Sequence, residues 1–125
     1  MNALVDTSIL VDHLRGHEPA RSLLRTEQAA GQLRASEITR LEVLAGMRSR
    51  EEIPTRALLA SLHWYPVDEN VAEEAGRLGR RWLPSHGGID GADLAIAATA
   101  SLHRLRLLTR NVKHFPMIPD LRPPY

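Results

Sequence analysis

Asp6, Glu42, Asp93 and Asn111 are the side chains of this 125-residue chain whose positions ask for a chemical explanation. Asp6 lies in MNALVDTSILVDHL, between a run that reads as a strand buried on both faces, Asn2 to Val5, and the apolar side of a helix, Ile9, Leu10, Val11 and Leu14. A carboxylate at that handover, beside Thr7 and Ser8, either caps the first turn of the helix or faces a site at the carboxyl end of the strand. Glu42 has Ile38, Thr39, Ala45 and Gly46 as its i±3 and i±4 neighbours, so no base can reach it within its own helix. It either points sideways to water or meets a cation. Asp93 follows Asp90 by three residues in GIDGADLAIAATA. That spacing suits a capping box, but it also puts two acids in one first turn, ahead of the small residues Ala97, Ala98 and Ala100. Asn111 occupies the turn after an expected strand in LLTRNVKHF, where Asn is also common for local backbone reasons.

If these four groups converge beyond the carboxyl ends of parallel strands, their like charges raise one another's pKa and oppose folding unless a counter-charge arrives. Mg²⁺ or Mn²⁺ answers that need: hard divalent ions take oxygen ligands, keep several waters and bind through a few carboxylates. Such a site suits in-line attack of a metal-activated water on a phosphodiester. The other acids have bland partners at helical spacing: Glu37 with Arg40, Glu52 with Arg48 and Arg56, Glu73 with Arg77, and Asp12 with Arg15. Those read as solvated helix faces.

The elements that must position the four groups alternate. After the first strand and helix, Pro19 to Ala30 is helical and Gly31 ends it; Gln32 to Ala35 reads as a strand, and Ser36 caps a helix over Glu37 to Arg48. A more polar helix follows Pro54 to near Leu62, and His63 to Val67 reads as a strand. Asp68 or Asn70 caps a helix to about Leu83, Asp90 opens an Ala-rich helix to about His103, and Arg106 to Thr109 supplies another strand. The Pro-laden tail MIPDLRPPY offers one further short edge strand. This order predicts one α/β domain of three layers, with a mainly parallel sheet of four to five strands flanked by helices.

Composition narrows the classes. A net charge of +1 gives no global argument for nucleic acid or an anionic surface, so any basic patch is local. Arg104, Arg106, Arg110 and Lys113 flank the Asn111 turn and either contact phosphates or form ordinary solvated surface; Arg110 adjoins the proposed metal rim most closely. The absence of Cys removes disulfides, thiolate zinc sites and cysteine nucleophiles, and no apolar run approaches a membrane span, which together predict a soluble cytoplasmic protein. His13 and His17 have i, i+4 spacing, but Gly16 between them and the lack of H-E-x-x-H argue against zinc. His86 and His114 fall near the expected site, where a metal mechanism needs no His base. Trp64 and Trp82 read as core or dimer contacts rather than base-stacking platforms. Nucleotide-binding glycine motifs and the G-x-S-x-G elbow are missing.

MNALVDTSILVDHL, SEITRLEVLAGM, GIDGADLAIAATA and LLTRNVKHF, in that order and at these separations, closely resemble PIN-domain ribonucleases, specifically the VapC-type toxins of toxin–antitoxin pairs. The resemblance implies that Asp6 is the first metal-binding acid with Ser8 as its supporting hydroxyl, Glu42 the acid of a helix-borne E-x-x-x-G, and Asp93 the acid opening the last helix. It places Asn111 where many members carry a fourth acid, with Thr109 beside it and Asp90 as an extra acid near the site. It further implies Mg²⁺- or Mn²⁺-dependent cleavage of structured RNA, often tRNA or ribosomal RNA, a homodimer, and a cognate VapB antitoxin that blocks the acids. Two other readings stay open: a PIN-fold module that binds RNA or protein with little catalysis, which the uncharged Asn111 allows, and a phospho-acceptor domain using Asp6, for which Lys113 is the sole available lysine.

Overall fold

The structure is a computed structural model that describes residues 2–31 and 33–125. Its centre is a four-stranded sheet of β1 (Ala3–Val5), β2 (Arg34–Ser36), β3 (His63–Tyr65) and β4 (Arg106–Leu108), in the order β3-β2-β1-β4. Every pairing is parallel, with Val5 opposite Leu108 and Ser36 opposite Tyr65, so all carboxyl ends open on one edge. Around the sheet pack α1 (Thr7–Leu14), α2 (Glu18–Ala30), α3 (Glu37–Ala45), α4 (Glu52–Ala60), α5 (Glu69–Trp82) and α6 (Gly91–His103).

Side chains alternate across a strand, and the two apolar clusters follow that alternation. Ala3, Val5 and Leu108 join Ile9, Leu10, Leu24, Val43 and Leu59 on one face. Leu4 and Leu107 join Val71, Leu78, Ile96 and Phe115 on the other. The sheet is thus the middle of three layers. Caps fix where the helices start: Ser36 Oγ accepts from the Ile38 N–H at 3.2 Å, and the Asp68 carboxylate from the Val71 N–H at 2.9 Å. The residues from Asp93 to Ala100 of α6 are all buried, which their small side chains permit. At Gly79 of α5 an added Cβ would stand 3.2 Å from Leu94 Cδ1, so the close approach of α5 to α6 depends on the missing side chain.

Several boundaries differ from expectation. The tail adds no strand, because Pro116, Pro119, Pro123 and Pro124 have no N–H to give a ladder. It wraps instead, with Met117, Ile118 and Leu121 on one core cluster and Tyr125 on the other. The helix α3 stops at Ala45 before Gly46, short of Arg48. The helix α4 begins at Glu52, with Pro54 inside its first turn, where a missing N–H is harmless. The strand β2 runs from Arg34; the expected start at Gln32 lies outside the described residues. Of the surface pairs, Glu37–Arg40 (2.6 Å) and Glu52–Arg56 (3.8 Å) form as expected, whereas Arg77 bonds Glu74 at 2.7 Å rather than Glu73, one turn position away. No helix among the described residues is long and apolar enough to cross a membrane.

Candidate active site

Asp6 ends the central strand. Its N–H donates to the Leu108 carbonyl at 2.9 Å, continuing the β1–β4 ladder by one bond, and its backbone then turns to serve as N-cap of α1. The side chain makes no capping bond. Capping therefore does not explain this carboxylate. Its Oδ2 accepts instead from Ser8 Oγ at 3.0 Å and from Thr109 Oγ1 at 2.7 Å, and the residue is only 4% exposed. Among the described residues it has no ion-pair partner.

The Asn111 turn is tied to the same point. The Asn111 N–H donates to Thr109 Oγ1 at 2.9 Å and the Arg110 N–H to Ser8 Oγ at 3.3 Å, while the Asn111 residue itself is exposed. Glu42 enters from α3: its Oε1 accepts from Thr7 Oγ1 at 2.6 Å, and Thr7 Oγ1 lies 3.1 Å from Thr39 Oγ1. Neighbouring positions of one chain, Asp6 and Thr7, thus hold both acids in register. Like Asp6, Glu42 has no described cation against it.

Asp93 does form the expected capping box. Asp90 Oδ1 accepts from the Asp93 N–H at 2.9 Å, and Asp93 Oδ2 accepts from the Asp90 N–H at 3.1 Å. The box is not the whole of its environment, because Asp93 Oδ2 also lies 3.2 Å from His114 Nδ1. Burial, with the Asp90 charge adding to it, pushes the Asp93 carboxyl up to about 6 against the opposing pull of the Asp90 N–H and of His114. His114 in turn donates its N–H to the Asn111 carbonyl at 2.9 Å, so Asp93 is fastened to the segment that carries Thr109 and Asn111.

Asp6, Ser8, Thr109, Asn111, His114 and Asp93 therefore lie on one chain of contacts at the carboxyl edge, with Glu42 joined to it through Thr7. They do not make a closed cage: among the described residues no three His, Cys, Asp or Glu side chains stand close enough to hold an ion alone. The donor set is all hard oxygen, however, with Asp6 buried without a cation and Asp93 raised by burial. Mg²⁺ binds through one or two carboxylates and keeps its waters, so the residues present fit an open Mg²⁺ or Mn²⁺ site and do not fit a fully protein-ligated one.

Of the expected basic residues, Arg110 and Lys113 are exposed and belong to the segment tied to Asp6, through the Arg110 N–H bond to Ser8 Oγ and the His114 N–H bond to the Asn111 carbonyl. Arg104 does not: it caps the far end of α6 in a left-handed conformation (φ 54°), about 16 Å along the helix from Asp93. Arg106 opens β4 at the opposite edge of the sheet and bonds Glu27 at 2.7 Å. Arg110 also has a partner the sequence did not disclose. It bonds Asp12, not left to Arg15, at 2.7 Å, and Arg15 reaches Glu51 at 3.4 Å. Thr7, His114 as the neighbour of Asp93, and Tyr125 are the other contributors that helical spacing could not reveal, since their partners are 21 or more residues away.

A four-stranded parallel sheet with a buried carboxylate, Asp6, at the carboxyl end of a central strand belongs to a class of small α/β domains that build their sites at that edge. Residues 3–119 match the PIN domain family. The chain is 49% identical to Ribonuclease VapC19 of Mycobacterium tuberculosis over 124 residues, 98% of each chain, and 42% identical to Ribonuclease VapC10 of the same organism over 98% of this chain and 92% of that one. A toxin–antitoxin complex from Klebsiella pneumoniae contains a chain of the same fold, with a TM-score of 0.81 and 35% identity over 98% of both chains. This protein belongs to the PIN-domain family, within its VapC branch.

Proposed function

We propose that the chain is a toxin endoribonuclease that cuts structured RNA, tRNA or ribosomal RNA, in the cytoplasm, using Mg²⁺ or Mn²⁺ bound at Asp6 together with Asp93 or Glu42 and completed by water. The observation that carries this reading is the Asp6 carboxylate, 4% exposed, pinned by two hydroxyls and facing no described cation. When bound, a divalent ion supplies an activated water and neutralises charge at the scissile phosphate. The chain's own groups do the rest. Ser8 and Thr109 hold one Asp6 oxygen by donating to it, which fixes the orientation of the carboxylate. Thr7 aims Glu42 in the same way. Asn111 offers an uncharged oxygen at the rim, and Arg110 and Lys113 offer cationic donors to the phosphates on either side of the cut.

The named relatives support ribonuclease activity. The Klebsiella relative was solved as a toxin–antitoxin complex, which supports a VapB-type antitoxin as partner of this chain. Purified protein, freed of antitoxin, should cut a mixed tRNA and ribosomal RNA preparation in Mg²⁺ or Mn²⁺ and stop in EDTA. Uncut RNA in every tube, with RNA binding retained, would favour the alternative of a catalytically weak RNA-binding module, to which the neutral Asn111 and the open ligand set lend support.

A homodimer belongs to the same reading. Ala75, Gly76, Gly79, Leu83 and Leu94 line an open, mainly apolar groove of about 650 Å³ between α5 and α6, and Leu83 is 44% exposed. A Cβ on Gly76 would meet nothing within 4 Å, so Gly76→Arg fits the isolated protomer. Replacing a helical Gly should even stabilise that protomer by about 0.5–1 kcal/mol. Sedimentation should give a dimer for the wild type and a monomer for Gly76→Arg; a variant that remains dimeric would move the interface elsewhere.

A further inference from the structure

Tyr125, Asp12 and Arg110 come from the tail, from α1 and from the turn after β4, yet they meet at one atom. Asp12 Oδ2 accepts from Arg110 Nη1 at 2.7 Å and from the Tyr125 hydroxyl at 2.7 Å. The Arg110 guanidinium carbon lies 5.8 Å from the centre of the Tyr125 ring, within cation–π range. The Tyr125 ring is itself wedged: it sits 5.2 Å from the His17 ring and packs on the core cluster of the α1 and α2 face. Burial and the Asp12 carboxylate push the Tyr125 phenol up, so it remains a donor throughout the physiological range. Burial works against the Asp12 charge, but the bonds from Tyr125 and Arg110 outweigh it and hold that carboxyl below its usual range.

An exposed arginine ordinarily samples many rotamers. This one is held from below by a carboxylate and flanked by a ring, while its side chain remains 50% exposed. Its guanidinium makes no second hydrogen bond among the described residues, which leaves donors available to a ligand. Its backbone is equally fixed, through Ser8 Oγ, to Asp6. Immobilising a flexible side chain before a ligand arrives removes that ordering cost from the binding step.

We infer that Asp12 and Tyr125 are positioning residues that hold Arg110 preorganised as a phosphate clamp for RNA beside Asp6. This rests on the reading of the chain as an RNA-cutting enzyme, and it adds to that reading a reason for an acid to stand on a surface meant for a polyanion. Charge alone assigns Asp12 the opposite role. Removing an acid near RNA strengthens binding, whereas removing a positioning acid weakens it.

The test is binding of fluorescently labelled mixed tRNA in EDTA, where the RNA stays whole, by wild type, Asp12→Ala, Tyr125→Phe, Arg110→Ala and the double variant Asp12→Ala/Arg110→Ala. Arg110→Ala should weaken binding about tenfold and lower the slope of log affinity against log salt by about one. Asp12→Ala should weaken it about threefold to fivefold despite losing a negative charge, and Tyr125→Phe about twofold to threefold. In the Arg110→Ala background, Asp12→Ala should instead leave binding unchanged or tighten it. In parallel, NMR relaxation should give the Arg110 Nε–H an order parameter above about 0.7 in the wild type and below about 0.6 in Asp12→Ala. Tighter binding by Asp12→Ala alone, or an Arg110 side chain no more mobile in that variant, would overturn the inference while leaving the enzyme reading in place. A wild type that neither binds nor cuts RNA would overturn both.

Discussion

Asp6→Asn should abolish RNA cleavage in Mg²⁺ while leaving the fold intact. The expected loss is at least about 1000-fold in kcat/KM, or ~4 kcal/mol of barrier. The substitution is close to isosteric, and the amide oxygen can still accept from Thr109 and Ser8, so the carboxyl end of β1 keeps both of its hydroxyl contacts. What disappears is the negative charge, the property that hydroxyl bonding does not require and a divalent ion does. Initial rates in Mg²⁺, with circular dichroism and the Tm as folding controls, separate these roles. A variant that retains more than a tenth of the wild-type rate would reduce Asp6 to a structural acceptor.

The second large effect has opposite signs with and without metal. Asp93 has its folded pKa raised from 3.8 to about 6, by burial first and then by the Asp90 charge. Between those values the folded state binds more protons than the unfolded one, so stability falls as pH rises through the window, and the full cost is present above about pH 6. Asp93→Asn removes that cost and keeps an oxygen for the Asp90 N–H. Metal-free Asp93→Asn should therefore be more stable than the wild type at pH 7.5. The gain should be about 1 kcal/mol, less than the ~3 kcal/mol that two pKa units would give, because the carboxylate lies close to the surface beside a partly exposed His114 and is screened by solvent. It should shrink toward zero by about pH 4. Adding Mg²⁺ or Mn²⁺ should reverse the order, since mass action stabilises only the protein that binds the ion. Thermal melts at both pH values, with and without metal, read all four corners. A wild type that is the more stable without metal at pH 7.5 would mean that the capping box, not a waiting cation site, explains Asp93.

The sheet was legible because its signals are local. The run Ala3 to Val5 is buried on both faces as a parallel central strand must be, and Ser36, Asp68 and Asp90 cap helices where their side chains suggest. Local rules failed where proline overrode them, in the tail, and where a helix tolerated proline in its first turn, at Pro54. The acids were legible mainly by elimination: Glu42 lacks a helical partner, and Asp6 stands at a handover. Their actual partners were not, because Thr7 to Glu42, Thr109 to Asp6 and Tyr125 to Asp12 join residues 35, 103 and 113 apart. Helical periodicity likewise misassigned Asp12 to Arg15, since an i+3 neighbour is only an opportunity and the bonds from Arg110 and Tyr125 draw the carboxylate away. Arg104 shows the converse error: nearness in sequence to Asn111 conceals the length of β4, which puts the two on opposite edges of the sheet.

The most direct measurement is the position of a bound ion. Crystals of the antitoxin-free protein grown with Mn²⁺ and measured near the manganese edge should show an anomalous peak at the carboxyl edge of β1, about 2.1 Å from an Asp6 oxygen, completed mainly by water and by Asp93 or Glu42. A peak only elsewhere, or none at saturating Mn²⁺ with Asp6 still held by Ser8 and Thr109, would contradict the claim that this pocket exists to hold a divalent cation.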